Sequence, residues 1–290
     1  MVTMDSVQSA LAWAIQELVR SQVDSPRLTA ELILGHVLGW DRVRVLAHPE
    51  GSISLDAADR YTILIRRRAS GEPLQYITGV QEFYGQQFRV TPAVLIPRPE
   101  TEILVENAVT LARAFGARPL RFADVGTGSG CIAISFALEV PHATGWGTDI
   151  SVDALAVARE NAARSGVLGR IGFLCADFLE GFTPNPCFDF VLSNPPYVAG
   201  NDAATLPAVV REHEPAAALF SGTSGLDSYL RLIPQSARRL VPGGWLLLEL
   251  GAGMSGQVSR LMEPAGLSIE NIASDLQGIP RCILARRRDG

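Results

Sequence analysis

Apolar positions recur at helical spacing through the first 70 residues and condense into short β-rich runs beyond residue 120. Val7, Leu11, Ile15 and Leu18 stand three to four residues apart, which predicts a helix with one buried stripe. Ser25-Pro26 predicts an N-cap with proline at the first helical position, and Gly39 ends that second segment. A third helix is expected from near Ser54, carrying Tyr61, Leu64 and Ile65 inward and stopping at Gly71. Together these segments predict a small helical domain over 1–73.

Between Leu74 and Val90 the pattern turns alternating and aromatic, LQYITGVQEFYGQQFRV, interrupted by Gly79 and Gly85. It predicts a β-hairpin or short meander, followed by a proline-rich linker (LIPRPE), so that 74–98 joins two domains. A helix is expected to open at Pro99. Across 99–290, strands are predicted at Arg121–Val125, Ala143–Asp149, Ile171–Cys175, Phe188–Ser193 and Trp245–Leu250, with helical stretches between most of them. That alternation implies an α/β fold, a mainly parallel sheet covered on both faces. The last two runs, Leu267–Ala273 and Arg281–Arg286, are separated only by DLQGIP. A loop that short leaves no room for a crossover helix, so an antiparallel hairpin is expected at the sheet edge.

A chain of 290 residues with 47% apolar and 19% charged positions suits two globular domains. It has no uncharged apolar run near the roughly 18 residues a bilayer span needs. Asp5 and Glu17, without a basic leader, argue against a secretory signal, and both features point to the cytoplasm. The four cysteines (Cys131, Cys175, Cys187, Cys282) form no CxxC pair and read as buried free thiols. The four histidines are dispersed, giving a metal site little support. All 25 basic residues are arginine and the net charge is −5, the opposite of the balance expected for gripping nucleic acid by its phosphates. The runs Arg66–Arg68 and Arg286–Arg288 read as solvated faces.

Chemistry concentrates at predicted strand ends. Gly126, Thr127, Gly128, Ser129 and Gly130 follow Asp124 directly after one strand and directly before a helical run. Such glycines allow a tight turn and close approach of a ligand to the chain, although the GxGxG spacing is not the dinucleotide GxGxxG. Asp149 ends the next strand, about 20 residues on, where a carboxylate can accept both hydroxyls of a ribose; the alternative is a surface helix cap. Asp177 and Phe178 end the third, suited to an adenine amino group and to stacking on the base. Three such ends in succession describe an adenosyl pocket. Asn194, Pro195, Pro196 and Tyr197 follow the apolar run FDFVLS. Two prolines there can simply terminate a strand. The combination also solves a chemical problem: the Asn194 side-chain oxygen and the Pro195 carbonyl can accept both hydrogens of a planar, weakly nucleophilic nitrogen. Tyr197 then offers a face on which the planar group stacks.

The order DVGTGSG, TDIS, AD-Phe and SNPPY resembles a class I (Rossmann-like) methyltransferase. With GVQEFYG, LIPRPETE, HEPAAALFSGTSGLDSY and the helical N-terminal domain, the chain resembles the release factor glutamine methyltransferases, the HemK/PrmC family, over nearly its whole length. The resemblance implies S-adenosyl-L-methionine as cofactor and, as protein substrate, peptide chain release factors methylated on the glutamine of a Gly-Gly-Gln motif. By motif position, Gly126 to Gly130 would wrap the cofactor, Asp149 hold its ribose, and Asp177 and Phe178 meet its adenine. Asn194, Pro195, Pro196 and Tyr197 would hold the glutamine, with Asn194 also bordering the cofactor. The resemblance places Arg98 and Glu102 near a cofactor lid, although proline-flanked Arg98 can equally be a structural hydrogen-bond hub; His213, where relatives often carry an aromatic, receives no role. The helical domain holds no catalytic cluster and is expected to recognise the protein substrate. A glutamine methyltransferase for a ribosomal protein, an adenine-N6 methyltransferase of nucleic acid, and a binding module without turnover remain the alternatives.

Overall fold

The computed structural model describes residues 4–288. Two compact units divide the chain, one formed by residues 4–80 with Pro207–His213 and the other by residues 81–206 with 214–288.

In the first unit, α1 (Val7–Arg20) buries Val7, Ala10, Ala14 and Leu18 completely. Leu11 and Ile15, expected inside, are only partly buried. The buried stripe is rotated because two alanines let α1 approach α2 (Pro26–Leu38) closely. Ser25 is left-handed (φ 48°) and makes no capping bond, so Pro26 alone preorganises the start of α2, while left-handed Gly39 ends it as expected. A short α3 (Arg42–Ala47), absent from the sequence reading, is capped by Asp41, whose carboxylate accepts from Arg44 N–H at 2.7 Å. Ser54 caps α4 (Leu55–Ala69), which buries Tyr61 and Ile65. The segment expected to begin the hairpin is instead helical, α5 (Leu74–Thr78). Packing of Leu74 and Ile77 into the helical core outweighs the local β preference of aromatic and branched residues.

The second unit opens with the hairpin β1 (Val80–Phe83) and β2 (Gln86–Arg89), shorter than expected. Its two turn residues, Tyr84 and Gly85, both have positive φ, the geometry a two-residue hairpin turn requires. After a 3₁₀ turn at Pro99–Thr101 come α6 (Glu102–Arg113), β3 (Leu120–Val125), α7 (Cys131–Glu139), β4 (Ala143–Asp149), α8 (Val152–Arg164), β5 (Ile171–Cys175) and β6 (Phe188–Ser193). α9 (Ala208–His213) belongs to the first unit; α10 (Ala216–Leu219), α11 (Asp227–Arg239), β7 (Leu240–Glu249), α12 (Ser255–Met262), β8 (Leu267–Ser274) and β9 (Pro280–Arg287) complete the second.

The sheet runs β5-β4-β3-β6-β7-β9-β8, with β3 to β7 parallel and β9 antiparallel to both its neighbours. The edge hairpin and the parallel sheet are as the sequence predicts. One core lies under α6 and α7 with Phe122, Phe136 and Phe190; the other lies under α11 and α12 with Tyr229, Leu246 and Leu248. Strand order reverses between β3 and β6, so loops diverge there and open a crevice at the carboxyl ends of the strands.

One expectation fails on the surface, and the arginine runs, exposed at Arg66, Arg67, Arg286 and Arg288 as expected, do more than meet solvent. Cys175 is exposed because β5 is an edge strand, and Cys187, in the loop just before β6, is half-buried. The arginine runs do structural work: Arg68 donates to Glu72 O, Arg286 to Gly243 O and Arg287 to Leu240 O. Each of these guanidiniums satisfies a carbonyl that a freely solvated face would leave to water. No helix among the described residues is long and apolar enough to cross a membrane.

Candidate active site

A cavity of about 390 Å³ sits at this crevice, walled by Gly126, Gly128, Asp149, Asp177, Phe178, Asn194 and Pro196, with Ala93–Leu95 and Pro215–Phe220 completing it. A larger hollow of about 590 Å³ lies at the opposite ends of β3 to β5, among Arg121, Trp146, Arg170 and Phe182. That one has no carboxylate and none of the residues singled out from the sequence, and its Arg170 is occupied with the carbonyls around the end of α7. The chemistry therefore belongs to the smaller cavity.

The turn after β3 is held from below. Asp124 is wholly buried; one carboxylate oxygen accepts from Thr127 Oγ1 at 2.6 Å and Ala133 N–H at 3.1 Å, and the other has no partner. Burial pushes its carboxyl up to about 7. Thr127 N–H also donates to Thr148 O at 2.8 Å. Thr127 and Ser129 thus face the protein interior, and only Gly126 and Gly128 of this run reach the cavity. Gly130, at φ 81°, starts α7; a Cβ there would stand 3.2 Å from Ala158 Cβ, so the third glycine serves helix packing.

Asp149 ends β4 beside this turn. One oxygen accepts from Gly128 N–H and the other from Ser151 N–H, both at 2.9 Å, which leaves lone pairs on both for a ligand. Burial raises its pKa, against these backbone hydrogen bonds. Asp177 is paired with Arg231 at 2.5 Å, and the same guanidinium lies 5.1 Å from the centre of the Phe178 ring. Phe178 is left-handed (φ 52°), a strained state for an aromatic residue, and is followed by Leu179, whose N–H donates to Gln235 Oε1 at 2.9 Å. Phe178 lines the cavity just beyond the end of β5.

Asn194 and Pro196 line the same cavity, whereas Pro195 is buried and the Tyr197 ring packs toward the core next to Gly251 and Met254. Tyr197 was expected to present its ring to the substrate; it packs inward because the extended chain after two prolines alternates its side chains. Burial pushes its hydroxyl up to about 12. Two residues not singled out from the sequence stand behind Asn194. Its Nδ2 donates to Thr101 Oγ1 at 3.1 Å, and Thr101 donates to Glu249 at 2.6 Å. Thr101 lies in the LIPRPETE run that the sequence made prominent. Glu249 had no signal of its own, since its partner stands 148 residues away.

Arg98 pairs with buried Glu214 at 2.5 Å, and Glu214 also accepts from Ile96 N–H at 3.2 Å. This tie joins the two segments on either side of the cavity mouth. Glu102 accepts from Tyr84 N–H at 2.9 Å and fixes the hairpin rather than the cavity. His213 lies outside the cavity, next to Gly71 in the first unit.

Residues 9–79 match the family model of the PrmC N-terminal domain, and residues 101–218 that of the methyltransferase small domain. The release factor glutamine methyltransferase of Moorella thermoacetica is 43% identical over 98% of this chain and 99% of its own length. That of Koribacter versatilis is 42% identical over 97% and 99%. The chain belongs to the release factor glutamine methyltransferase family. A methyltransferase of Pyrococcus furiosus, 15% identical with a TM-score of 0.53, covers 80% of this chain and all of its own, a likeness of fold alone. Membership accounts for the pairing of an α/β methyltransferase sheet with a helical N-terminal unit.

Proposed function

We propose that this protein transfers a methyl group from S-adenosyl-L-methionine to the side-chain amide nitrogen of the glutamine in the Gly-Gly-Gln motif of peptide chain release factors. The observation that carries the reading is the convergence of Asp149, Gly126 and Gly128 of the glycine turn, and Asn194 and Pro196 on one cavity at the strand switch point. The residues fit the cofactor: two glycines hold positive φ at the cavity wall, a carboxylate retains acceptor capacity on both oxygens, and an aromatic ring closes one side. When bound, the cofactor supplies an electrophilic methyl on a sulfonium centre.

The chain's own task is to make a poor nucleophile react. An amide lone pair is delocalised over the carbonyl, so the nitrogen must be fixed and its two hydrogens held as it acquires positive charge. The Asn194 side-chain oxygen and the Pro195 carbonyl are the acceptors. No strong base is required: as the nitrogen–methyl bond forms the nitrogen becomes strongly acidic, and its proton passes to solvent water. The helical unit recognises the protein substrate, and the net charge of −5 accords with a protein rather than a nucleic acid partner.

The direct test is to incubate the protein with labelled S-adenosyl-L-methionine and release factor purified from cells lacking the activity, and to locate the label by peptide mass spectrometry. Label on the motif glutamine, absent when that glutamine is replaced by alanine, is expected. Label only on a ribosomal protein or on nucleic acid, or no transfer at all, overturns the assignment.

A further inference from the structure

Glu249 and Thr101 are each 2% exposed, and no step above uses them. A carboxylate so deeply buried is costly to keep, and hydrophobic replacement of similar volume is often neutral or stabilising. Its place in a chain of hydrogen bonds gives a reason for its presence. A threonine hydroxyl owns one proton. While Glu249 is ionised it can only accept, so Thr101 must spend that proton on it, as the 2.6 Å contact records. The Thr101 oxygen then has only lone pairs to offer Asn194, which must present its NH₂ to Thr101 at 3.1 Å. The other end of the amide, the carbonyl oxygen, is thereby turned away from Thr101.

We infer that Glu249 is a positioning residue for methyl transfer: acting through Thr101, its carboxylate fixes the Asn194 amide with the oxygen toward the substrate cavity. The inference rests on the reading of Asn194 as an acceptor for the glutamine NH₂. If Glu249 takes up a proton, the order of donors can reverse. Its hydroxyl donates to Thr101, the Thr101 proton is released toward the Asn194 oxygen, and the amide can turn its NH₂ into the cavity. An NH₂ facing the substrate NH₂ has no acceptor to offer, so that orientation is unproductive. Burial pushes Glu249 up to about 7; Glu100 pushes in the same direction, whereas Thr101, Arg281 and the Tyr197 hydroxyl favour the charged form. The rate should consequently rise with pH through neutrality as Glu249 ionises.

The test uses the full chain with release factor and S-adenosyl-L-methionine, comparing Thr101→Val, Thr101→Ser, Glu249→Gln and Asn194→Ala. Thr101→Val should lower kcat by about 10-fold or more through lost orientation, with cofactor Kd within about 2-fold of wild type. Thr101→Ser, which keeps the hydroxyl, should restore most of it. Wild-type kcat should show an acid limb with a midpoint near 7. Glu249→Gln satisfies Thr101 in either direction, so it should be slow at pH 8 and lack that limb. Circular dichroism and a thermal melt verify the fold, and the wild-type pH profile, which needs no substitution, stands in if valine or glutamine fails to fold: a kcat that is flat through neutrality overturns the inference. Wild-type kcat at pH 8 in both Thr101→Val and Glu249→Gln overturns the inference, as does serine no better than valine. If Asn194→Ala is itself fully active, the acceptor reading is what fails; if alanine is inactive while Thr101→Val is normal, only the relay fails.

Discussion

At the scale of single residues, Asn194 and Asp149 divide orientation from binding. Asn194→Ala removes one of two acceptors for the amide, so kcat with release factor is expected to fall at least about 100-fold. Cofactor affinity should change much less, because Asp149 and the glycine turn remain. Asn194→Asp keeps an acceptor but places a second carboxylate beside Thr101, whose single proton already serves Glu249 at 2.6 Å. Its activity is expected between alanine and wild type, and full activity in both variants, with normal circular dichroism, would reduce the motif to a turn. Asp149→Ala should weaken S-adenosyl-L-methionine by roughly 10- to 100-fold in calorimetric titration, from two charge-assisted hydrogen bonds. It also frees the N–H groups of Gly128 and Ser151, which this carboxylate now accepts. An unchanged Kd in the folded variant would remove Asp149 from the site.

Among elements, the hairpin and the cavity wall are tied to α8 by one side chain. Asn161, 1% exposed, accepts from Arg89 N–H at 2.8 Å and donates to Arg89 O at 3.0 Å and to Ser129 O at 2.9 Å. One amide thus fastens the end of β2 to the glycine turn, and Arg89 adds an exposed ion pair to Glu160. Replacing Asn161 by alanine leaves three backbone groups without partners, each worth about 1 kcal/mol or more when buried. Urea denaturation should show a loss of roughly 3 kcal/mol if all three remain dry. Cofactor binding should weaken too, since Ala93–Leu95 follow β2 into the cavity wall. A variant with wild-type stability would mean that water replaces the amide. Packing between elements also explains why the hairpin begins later than the sequence pattern predicts. The turn at Tyr84-Gly85 was legible, but Leu74–Thr78 is helical where Leu74 and Ile77 pack into the core formed by the preceding helices, a contact that local alternation does not reveal.

For the whole molecule, the pH dependence of stability follows chiefly from two buried carboxyls, and Asp149, also raised by burial, acts in the same sense. Asp124 and Glu249 are both held near 7, well above their ordinary values of 3.8 and 4.5, chiefly by burial. The folded state therefore binds protons that the unfolded state has already released between about pH 4 and 7. Their favourable contribution is present below the unfolded pKa and is lost as pH rises through the folded one. Ion-paired Glu72, held below its usual value by Arg67, acts in the opposite sense but only on the acid side of that window. Denaturant midpoints should thus fall between pH 5.5 and pH 8, and Glu249→Gln should lessen the fall by removing one of the two groups. A midpoint that rises over this interval would contradict the burial of these charges. Activity and stability then make opposite demands on Glu249: the fold favours its protonated form, and the proposed relay needs it ionised.

Local patterns by themselves determined the parallel sheet, its antiparallel edge hairpin, and the turns at Gly126–Gly130, Asp149 and Asn194–Tyr197, because strand periodicity, glycine freedom and proline geometry act over a few adjacent residues. Only the tertiary structure decided which of those residues face the cavity. Thr127 turns inward to serve Asp124, Ser129 is buried beside it and Gly130 serves helix packing, while Tyr197 packs toward the core. It alone brought Thr101 and Glu249 behind Asn194, Arg231 onto Asp177, and Glu214 onto Arg98. Each of these pairs joins positions far apart in the chain, and a hydrogen bond depends on distance in space, which strand order sets and spacing along the sequence does not.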